Sequence, residues 1–409
     1  MKNNPFTSPT FVTTWLKHFT SFKEQYSFSF IEDLSFIKNK KLPVFINIGK
    51  NWTKAMSYSI NPNPESVPKN KVLLIYDIPN YVIPNKLTDG GPIKTHKVRQ
   101  YEGFLANLSG FKTLDEYMQD RFDSKSRYNF RKNKKKLTQC FHINESIYFG
   151  AITKDEYDVV FKSFHSLLKK TFLEKQVSTN ILEKWDYYYE LVYPMILEKK
   201  ASLYVLRNED EPICIALNFH SEDISFLFFS VYDSDYSKFG IGYMSVMKCI
   251  EWCIENNFKG YDFSKGYFHY KKRWSNVIYN FDYHILYDSK SITASFLAFS
   301  MSNYFRWKQI LREKNLNKTF NKVLFHLKNK EKIDDKYPDF QFGPKTELSD
   351  SHQLNKLNFK SCEYAFLRKP IYEFIYKTGF HIKDIKVTES QGSFWVIGQD
   401  KMQKIMINN

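Results

Sequence analysis

The segment between Tyr232 and Trp274 carries the residues best suited to group-transfer chemistry. Gly240-Ile241-Gly242 lies between a predicted strand and a predicted helix. Because glycine has no Cβ, the backbone amides of this turn and of the helix start can approach a diphosphate closely. The alternative is a helix start that needs glycine only for tight packing. The first interpretation predicts a phosphate-binding turn at this helix.

One acidic and two basic positions follow the helix. Asp262 ends a short predicted strand with an apolar neighbour on either side, which places its carboxyl group on one face. Beside a cofactor cleft it could deprotonate or orient an amine; otherwise it would hydrogen-bond to the backbone of the turn at 264–266. Lys271 and Arg273 could polarise an acyl carbonyl or hold a phosphate or carboxylate, or they could form a solvated basic turn.

Lys125–Lys136 is the most basic stretch of the chain, with seven Lys and Arg residues and no acid. On a helix, Arg127, Arg131 and Lys134 share one face, because they are spaced three and four residues apart. This face could hold the phosphates of a nucleotide- or lipid-linked sugar, of CoA or of tRNA. A solvated helix surface is the alternative.

Histidine and cysteine offer little further chemistry. His269 lies next to Tyr270 in the proposed site and is a minor candidate for acid–base work. Cys249 and Cys253 are four residues apart on the predicted helix, where buried packing is expected and no activating partner is visible. The sequence has no serine-hydrolase elbow, no Walker motif and no zinc motif.

The elements that must position these residues follow a mixed α/β order. In the first third, Ser8 can cap a helix with Phe11, Trp15 and Phe19 on its apolar face. Strand-like runs follow, and a capping box at Thr113-x-x-Glu116 opens a short helix. The predicted strands here are Leu42–Ile48, Val72–Tyr76 and Tyr101–Leu108.

From residue 142 onward the order is β-α-α-β-β-β-α-β with a closing strand. Thr153-x-x-Glu156 is a second capping box, followed by apolar residues at helical spacing to Leu168. Three strands joined by hairpin-type connections then lead to the glycine turn and its helix. The predicted elements here are a strand at 146–152, helices at 157–168, 181–197 and 242–256, and strands at 201–207, 213–219, 224–232, 260–263 and 278–286.

Composition restricts the class of protein. The 409 residues are 43% hydrophobic and 18% aromatic with only 14 Gly and 14 Pro, which excludes a disordered or collagenous chain. The formal charge of +16 favours anionic partners such as phosphate-bearing cofactors, nucleic acid or acidic membranes. Five scattered cysteines indicate a reducing compartment, and no signal peptide or spanning segment is visible, so we expect a cytoplasmic protein without zinc or any other metal.

The order of elements resembles the GNAT superfamily of acyltransferases over residues 142–288. The stretch from Tyr232 to Trp274 is more specific, and it resembles the CelD-like branch, which is related to Fem-type transferases. It has a glycine-containing helix start, then Asp262-Phe263-Ser264-Lys265-Gly266, then Tyr270-Lys271-Lys272-Arg273-Trp274. This resemblance implies an α/β (α+β) fold, with a mixed sheet, flanking helices, two related lobes and a small C-terminal appendage.

The resemblance also assigns roles to residues. It implies that the pyrophosphate of acetyl-CoA lies at Gly240 and Gly242, with Ser237 where the superfamily usually has Gln or Arg, and with Tyr243 beside it. Fem-type transferases single out Lys271 as the lysine that assists transfer, with Asp262 and His269 as the other catalytic candidates. The predicted substrate-binding residues are Arg127, Arg131, Tyr270, Arg273 and Trp274.

We therefore expect an N-acyltransferase that moves acetyl from acetyl-CoA to a primary amine. The acceptor would be a small molecule or a lipid- or nucleotide-linked amino sugar of a polysaccharide or cell-envelope precursor. The alternatives are a Fem-type aminoacyl transferase that uses aminoacyl-tRNA, and a non-catalytic basic protein on nucleic acid or a membrane surface. The predicted units are an N-terminal α/β lobe (1–140), the acyltransferase lobe (141–290), basic amphipathic helices with a peripheral membrane contact as one alternative (291–330), and a linker with a small accessory lobe (331–409).

Overall fold

The structure is a computed structural model of the chain. It describes residues 1–20, 24–61, 68–82, 92–175, 180–314, 339–346, 355–361, 363–390, 393–399 and 401–408. Cys362 and the part of the predicted basic helices beyond residue 314 lie outside these ranges. Among the described helices, none combines the length and the apolar character needed to cross a bilayer.

Seventeen strands are seen in the described residues, and the first twelve form one large mixed sheet. They are β1 Gln25–Phe28, β2 Ile31–Lys38, β3 Val44–Asn47, β4 Ser59–Ile60, β5 Val72–Pro79, β6 Ile93–Asn107, β7 Ile143–Tyr148, β8 Ala201–Asn208, β9 Glu211–His220, β10 Ile224–Tyr232, β11 Gly260–Lys265, β12 Val277–Asp288, β13 Asp339–Thr346, β14 Asn355–Lys356, β15 Ile385–Ser390, β16 Ser393–Gly398 and β17 Lys401–Asn408. The order in the large sheet is β1-β2-β3-β5-β12-β6-β11-β10-β9-β8-β7, with β4 paired to β2. The predicted mixed sheet with flanking helices is confirmed.

Helices cover both faces of this sheet. They are α1 Pro9–Phe19, α2 Leu114–Arg121, α3 Ser124–Cys140, α4 Lys154–Lys175, α5 Asn180–Glu183, α6 Trp185–Leu197, α7 Ile241–Glu255, α8 His269–Trp274, α9 Ile292–Glu313 and α10 Arg368–Thr378. One buried core joins α1, α4 and α6 to the sheet, and a second joins α2, α3, α7 and α10. The sheet is therefore the middle layer of three.

Local signals in the sequence explain the helix starts. The Ser8 hydroxyl accepts a hydrogen bond from the Phe11 amide, and Thr113 and Thr153 do the same for the amides of Glu116 and Glu156. These are the bonds expected from N-cap residues, which satisfy amides that a helix leaves free. The basic stretch also forms a helix, α3, and its N-cap is Asp123.

Strand β6 joins the two halves of the sheet. It pairs antiparallel with β11 on one side and with β12 on the other. Because β12 also pairs with β5, a late strand of the chain lies between two early ones. The sequence predicted only residues 101–108 of β6, since the alternation of apolar residues in its first half is interrupted by Lys94, Lys97 and Arg99.

The C-terminal residues form a separate five-stranded sheet with α10. Its order is β13-β17-β16-β15-β14. Strand β13 lies in an interval for which the sequence predicts a linker, and its Phe340 and Phe342 lie opposite Ile407 and Ile405 of β17. Helix α10 packs on α3 and on the 3₁₀ turn Ser234–Phe239, so this sheet is joined to the large one through aromatic contacts.

Replacement of Gly103 by Ala should destabilise the junction between the halves of the sheet. An added Cβ would lie 2.2 Å from the ring of Tyr279 on the neighbouring strand, so backbone or ring must shift. We expect a loss of about 1–3 kcal/mol in the free energy of unfolding, measured by urea denaturation. Gly110→Ala is the matched control, because an added Cβ there meets nothing within 4 Å. Equal stability of the two variants would contradict this account.

Candidate active site

Two neighbouring strands part at the centre of the large sheet. β10 and β11 pair in parallel over Ile224–Phe226 and Gly260–Asp262 only, although both strands continue beyond this point. Each strand has an irregular register where the pairing ends, between Leu227 and Phe229 in β10 and between Asp262 and Ser264 in β11. Such bulges bend a strand and re-aim its side chains. The gap that opens beyond Asp262 is the place where a ligand could enter the sheet.

Asp262 lies at the start of this gap with no exposed surface. One carboxylate oxygen, Oδ2, accepts hydrogen bonds from the hydroxyl groups of Tyr81 (2.8 Å) and Tyr279 (2.6 Å). The other, Oδ1, accepts one from the Ser264 amide (2.6 Å). The predicted bond to the turn backbone is thus present, and three donors hold the carboxyl group in one orientation.

A second buried carboxylate, Asp77, belongs to the first half of the chain. Its Oδ1 accepts from Lys265 Nζ (2.6 Å) and Gln100 Nε2 (2.8 Å), and its Oδ2 accepts from the Thr53 hydroxyl (2.9 Å). Lys265 is the last residue of β11, three positions after Asp262. The ion pair therefore ties the end of β11 to β5.

Lys271 and Lys54 bring two further cations to this place. Lys271 is buried, and its Nζ donates to the Lys265 carbonyl (2.9 Å). Lys54 is partly buried, its Nζ lies 4.6 Å from the ring centre of Phe228 on β10, and its carbonyl accepts from the Ser264 hydroxyl on β11 (3.4 Å). Lys54 thus contacts both strands where they part. We call Lys54, Asp77, Asp262, Lys265 and Lys271 the lysine–aspartate cluster.

Burial changes the protonation of three members of the cluster. It raises the pKa of Asp262 to about 6, with the bonds from Tyr279, Ser264 and Tyr81 acting in the opposite direction. It lowers the pKa of Lys271 to about 8, against the attraction of Asp262. It lowers the pKa of Lys54 to about 7, helped by repulsion from Lys271 and Lys265. Groups with such values can exchange protons near neutral pH.

The glycine turn has the predicted place at the start of α7. Gly240 is the N-cap of the helix with φ of +70°, a left-handed conformation that glycine adopts without strain. Gly242 has a packing reason as well, since an added Cβ would lie 2.9 Å from the ring of Tyr232. Ser237 and Tyr243 are exposed beside it. Both interpretations of the glycines are compatible with this geometry.

Helix α8 links the cluster to α3. Trp274 has no exposed surface and packs between Phe122 and Phe130, so in this conformation it anchors the helix and presents no surface to a ligand. Arg273 donates to the Ser126 hydroxyl (2.9 Å) at the start of α3. Two further residues of α8, His269 and Tyr270, were also predicted to belong to the site. His269 is exposed at the helix start, and Tyr270 is partly buried against Phe263.

Arg127 and Arg131 line a cavity of about 230 Å³ between α2, α3 and α7. Lys134 lines it too, as expected if the three cations share a helix face. Asp115, Glu145 and Glu251 also face this space, so its charge is mixed. None of the lysine–aspartate cluster lines the cavity. The structure therefore separates Asp262 and Lys271 from Arg127 and Arg131, and α8 connects the two places.

Several residues of the site were not predicted from the sequence. Lys54, Asp77 and Tyr81 come from segments about 200 residues before Asp262, and no local pattern relates them to it. Tyr279 belongs to the closing strand, which we predicted without a role for its side chains. The only feature of the sequence that could have indicated them is the presence of charged residues within apolar runs. This feature is not specific, because it is also common at protein surfaces.

Residues 124–272 match the family model for the acetyltransferase (GNAT) domain. This range contains the glycine turn, both parted strands, and Asp262 and Lys271. The GNAT-type acetyltransferase domain expected from the sequence is thus confirmed for this part of the chain. Comparison with curated proteins gives no match.

Solved structures with similar backbones have low sequence identity. A conserved protein of unknown function from Bacteroides thetaiotaomicron has 9% identity and a TM-score of 0.43, over 70% of this chain and 92% of its own. FemX has 12% identity and a TM-score of 0.40, over 61% and 83%. A tandem GNAT protein from the clavulanic acid biosynthesis pathway has 8% identity and a TM-score of 0.34, over 61% and 77%.

Replacing Lys265 by Met should destabilise the protein strongly, because the buried Asp77 carboxylate would lose its cation. We expect a loss of about 3–5 kcal/mol in the free energy of unfolding at neutral pH, measured by urea denaturation. The double variant Asp77→Asn, Lys265→Met removes both charges and should be more stable than the single variant. A loss below about 1 kcal/mol in the single variant would mean that the pair behaves as a solvated surface pair.

Proposed function

We propose that the chain is an N-acyltransferase whose reaction takes place where β10 and β11 part. The observation that carries this proposal is the position of Lys54 at the gap. Its carbonyl accepts from Ser264 of β11, its Nζ lies over the Phe228 ring of β10, and the charges of Lys271 and Asp262 influence its pKa. An acyl group inserted between the strands would lie next to these side chains. The match of residues 124–272 to the acetyltransferase (GNAT) domain supports the same reaction. The CelD-like branch, inferred from the sequence motifs, is part of the proposal.

The donor in this proposal is acetyl-CoA. When bound, it supplies an acyl group as a thioester. The residues at the start of α7 fit its diphosphate, since Gly240 and Gly242 have no Cβ and the amides of a first helical turn lack partners within the helix. Ser237, Tyr243 and Lys238 are exposed around this helix start and would complete the contacts.

The cluster would move one proton and stabilise one charge. Lys54, half neutral near pH 7, would accept the proton of the acceptor's ammonium group. Lys271, still largely protonated at that pH, would donate to the acyl oxygen as negative charge develops on it. Asp262 has all its donors inside the protein, so we assign it the role of holding Tyr81 and Tyr279 and balancing the lysines. The nitrogen–carbon bond forms, the carbon–sulfur bond breaks, and the attacking nitrogen gives up its second proton to the departing thiolate, which leaves as the free thiol.

The acceptor in this proposal is an amine that also bears phosphate, such as a nucleotide- or lipid-linked amino sugar. Arg127 and Arg131 would hold its phosphate groups in the cavity beside α3. The carboxylates of Asp115, Glu145 and Glu251 in the same cavity favour a ligand with hydroxyl or amino groups over a bare polyanion. His269, Tyr270 and Arg273 lie on α8, between the cavity and the cluster.

A second candidate is transfer of an aminoacyl group from tRNA. It is favoured by the cations of α3 that point away from the cavity, since Lys125, Lys132 and Lys135 are exposed to solvent. Such a surface could bind a nucleic-acid backbone. The two candidates share the chemistry at the cluster and differ in the ligand that α3 binds.

The rate should depend on pH through the two lysines. Deprotonation of Lys54 raises kcat/KM as pH rises through about 7, and deprotonation of Lys271 lowers it as pH rises through about 8. Lys54→Met should remove the rise at low pH and lower kcat by about 10²–10⁴. Lys271→Met should lower kcat by about 10²–10³ with little change in donor affinity.

Lys272→Met is the matched control for these variants, because Lys272 is the exposed neighbour of Lys271 on the same helix. Its rate and pH profile should equal those of the wild type. The measurement is thiol release from acetyl-CoA with an amine acceptor between pH 5.5 and 9.5. A Lys54→Met variant that keeps the wild-type profile would remove Lys54 from the reaction.

Ligand binding should separate the candidates. Calorimetry is expected to show saturable binding of acetyl-CoA to the wild type. Arg127→Gln with Arg131→Gln should raise the KM of a nucleotide-linked amino sugar, while Lys132→Gln with Lys135→Gln should leave it unchanged. Lys136 is not used as a control, because its Nζ donates to the Tyr376 carbonyl and holds α10.

The other candidates predict different results. No heat with acetyl-CoA, together with tight tRNA binding that weakens steeply with salt and depends on all four α3 positions, would favour aminoacyl transfer. Binding of nucleic acid or vesicles without any transfer activity would favour a non-catalytic adaptor. Either result would contradict the proposed acetyl transfer.

A further inference from the structure

Helix α9 rests on the large sheet with a face of small residues. Ala294, Ala298 and Ser302 are buried against β6 and β12, and Phe305 is the one large side chain among the buried positions. Small side chains let the helix axis lie close to the sheet. Because all of these buried positions lie on one side of α9, the opposite side faces solvent along the whole helix.

That opposite face is apolar. Its large side chains are highly exposed: Ile292 88%, Phe296 71%, Phe299 57%, Trp307 65% and Ile310 42%. At 100° per residue these five positions form one stripe, with Tyr304 and Leu311 along one edge. The helix of 22 residues is about 33 Å long. We call these seven residues the α9 stripe. Ser300 and Asn303 interrupt this face between Phe299 and Trp307. An exposed apolar surface of this extent still marks an interaction site.

The charges beside the stripe are mostly positive. Lys290, Arg306, Lys308 and Lys314 are exposed along or at the ends of α9. Within the helix the only acidic residue is Glu313, which lies 3.6 Å from Arg99. An apolar stripe bordered by cations is the pattern of helices that lie in the interface of an anionic bilayer.

We propose that the α9 stripe binds the surface of an anionic lipid bilayer. Trp307 and Tyr304 suit the boundary between headgroups and acyl chains, because each combines an apolar ring with a hydrogen-bonding group. A second copy of the chain is a poorer occupant, since a two-fold contact through this face would bring the same cations together. The proposal is independent of the reaction at the lysine–aspartate cluster.

Vesicle sedimentation of the full-length chain tests the proposal. The probes are vesicles of phosphatidylcholine alone and of phosphatidylcholine with phosphatidylglycerol at about 3:1, at low and physiological salt. Wild type should sediment with the anionic vesicles, and less so at higher salt. Phe296→Gln, Phe299→Gln, Trp307→Gln should lower the partition coefficient on the order of tenfold or more, because the apolar contact is lost. Arg306→Gln, Lys308→Gln should lower it on anionic vesicles only.

The matched control replaces three exposed apolar residues elsewhere, Leu42→Gln, Val159→Gln and Leu173→Gln. It should bind vesicles as the wild type does, and circular dichroism should show that all variants are folded. Equal partition of the α9 triple variant and the wild type would overturn the proposal. So would a wild-type dimer, seen by analytical ultracentrifugation, that becomes a monomer in the triple variant without any binding to vesicles.

Discussion

The structure depends on keeping two buried carboxylates and three lysines together in a region of low dielectric. A buried charge without a partner costs several kcal/mol, so each member of the lysine–aspartate cluster limits what its neighbours can be. Asp77 is compensated by Lys265, and Asp262 by two tyrosine hydroxyls and an amide. Because these partners come from both halves of the chain, neither half can satisfy its own buried groups alone. Strand β6, paired with β11 and β12, holds both halves in one sheet.

Helix α8 contacts both the lysine–aspartate cluster and α3. Helix α8 directs Lys271 toward the cluster and Arg273 toward α3, while Trp274 fixes the helix in an aromatic core. A ligand held beside α3 would thus be separated from the cluster by less than two turns of helix. Helix α10 also contacts α3, where the Tyr376 hydroxyl donates to Oδ1 of Asn133 (2.8 Å).

Elements with strong local signals could be predicted from the sequence alone. Ser8, Thr113 and Thr153 cap the helices they were predicted to cap. The order of strands and long helices after residue 142 is as expected, but the short helix α8 was not predicted. The motif residues Asp262 and Lys271 were identified because they follow one another closely in the chain. Lys54 and Asp77 could not be identified in this way, because strand pairing brings them next to residues that lie about 200 positions later in the chain. The first half of β6 was missed because its exposed lysines hide the alternation.

A crystal structure with a non-hydrolysable thioether analogue of acetyl-CoA tests the central claim most directly. The account predicts that the acyl end lies between β10 and β11, with its carbonyl oxygen about 3 Å from Lys271 Nζ and with Lys54 Nζ facing the open side of the carbonyl. It also predicts the diphosphate at the start of α7. An analogue bound elsewhere, with the lysine–aspartate cluster untouched, would contradict the claim.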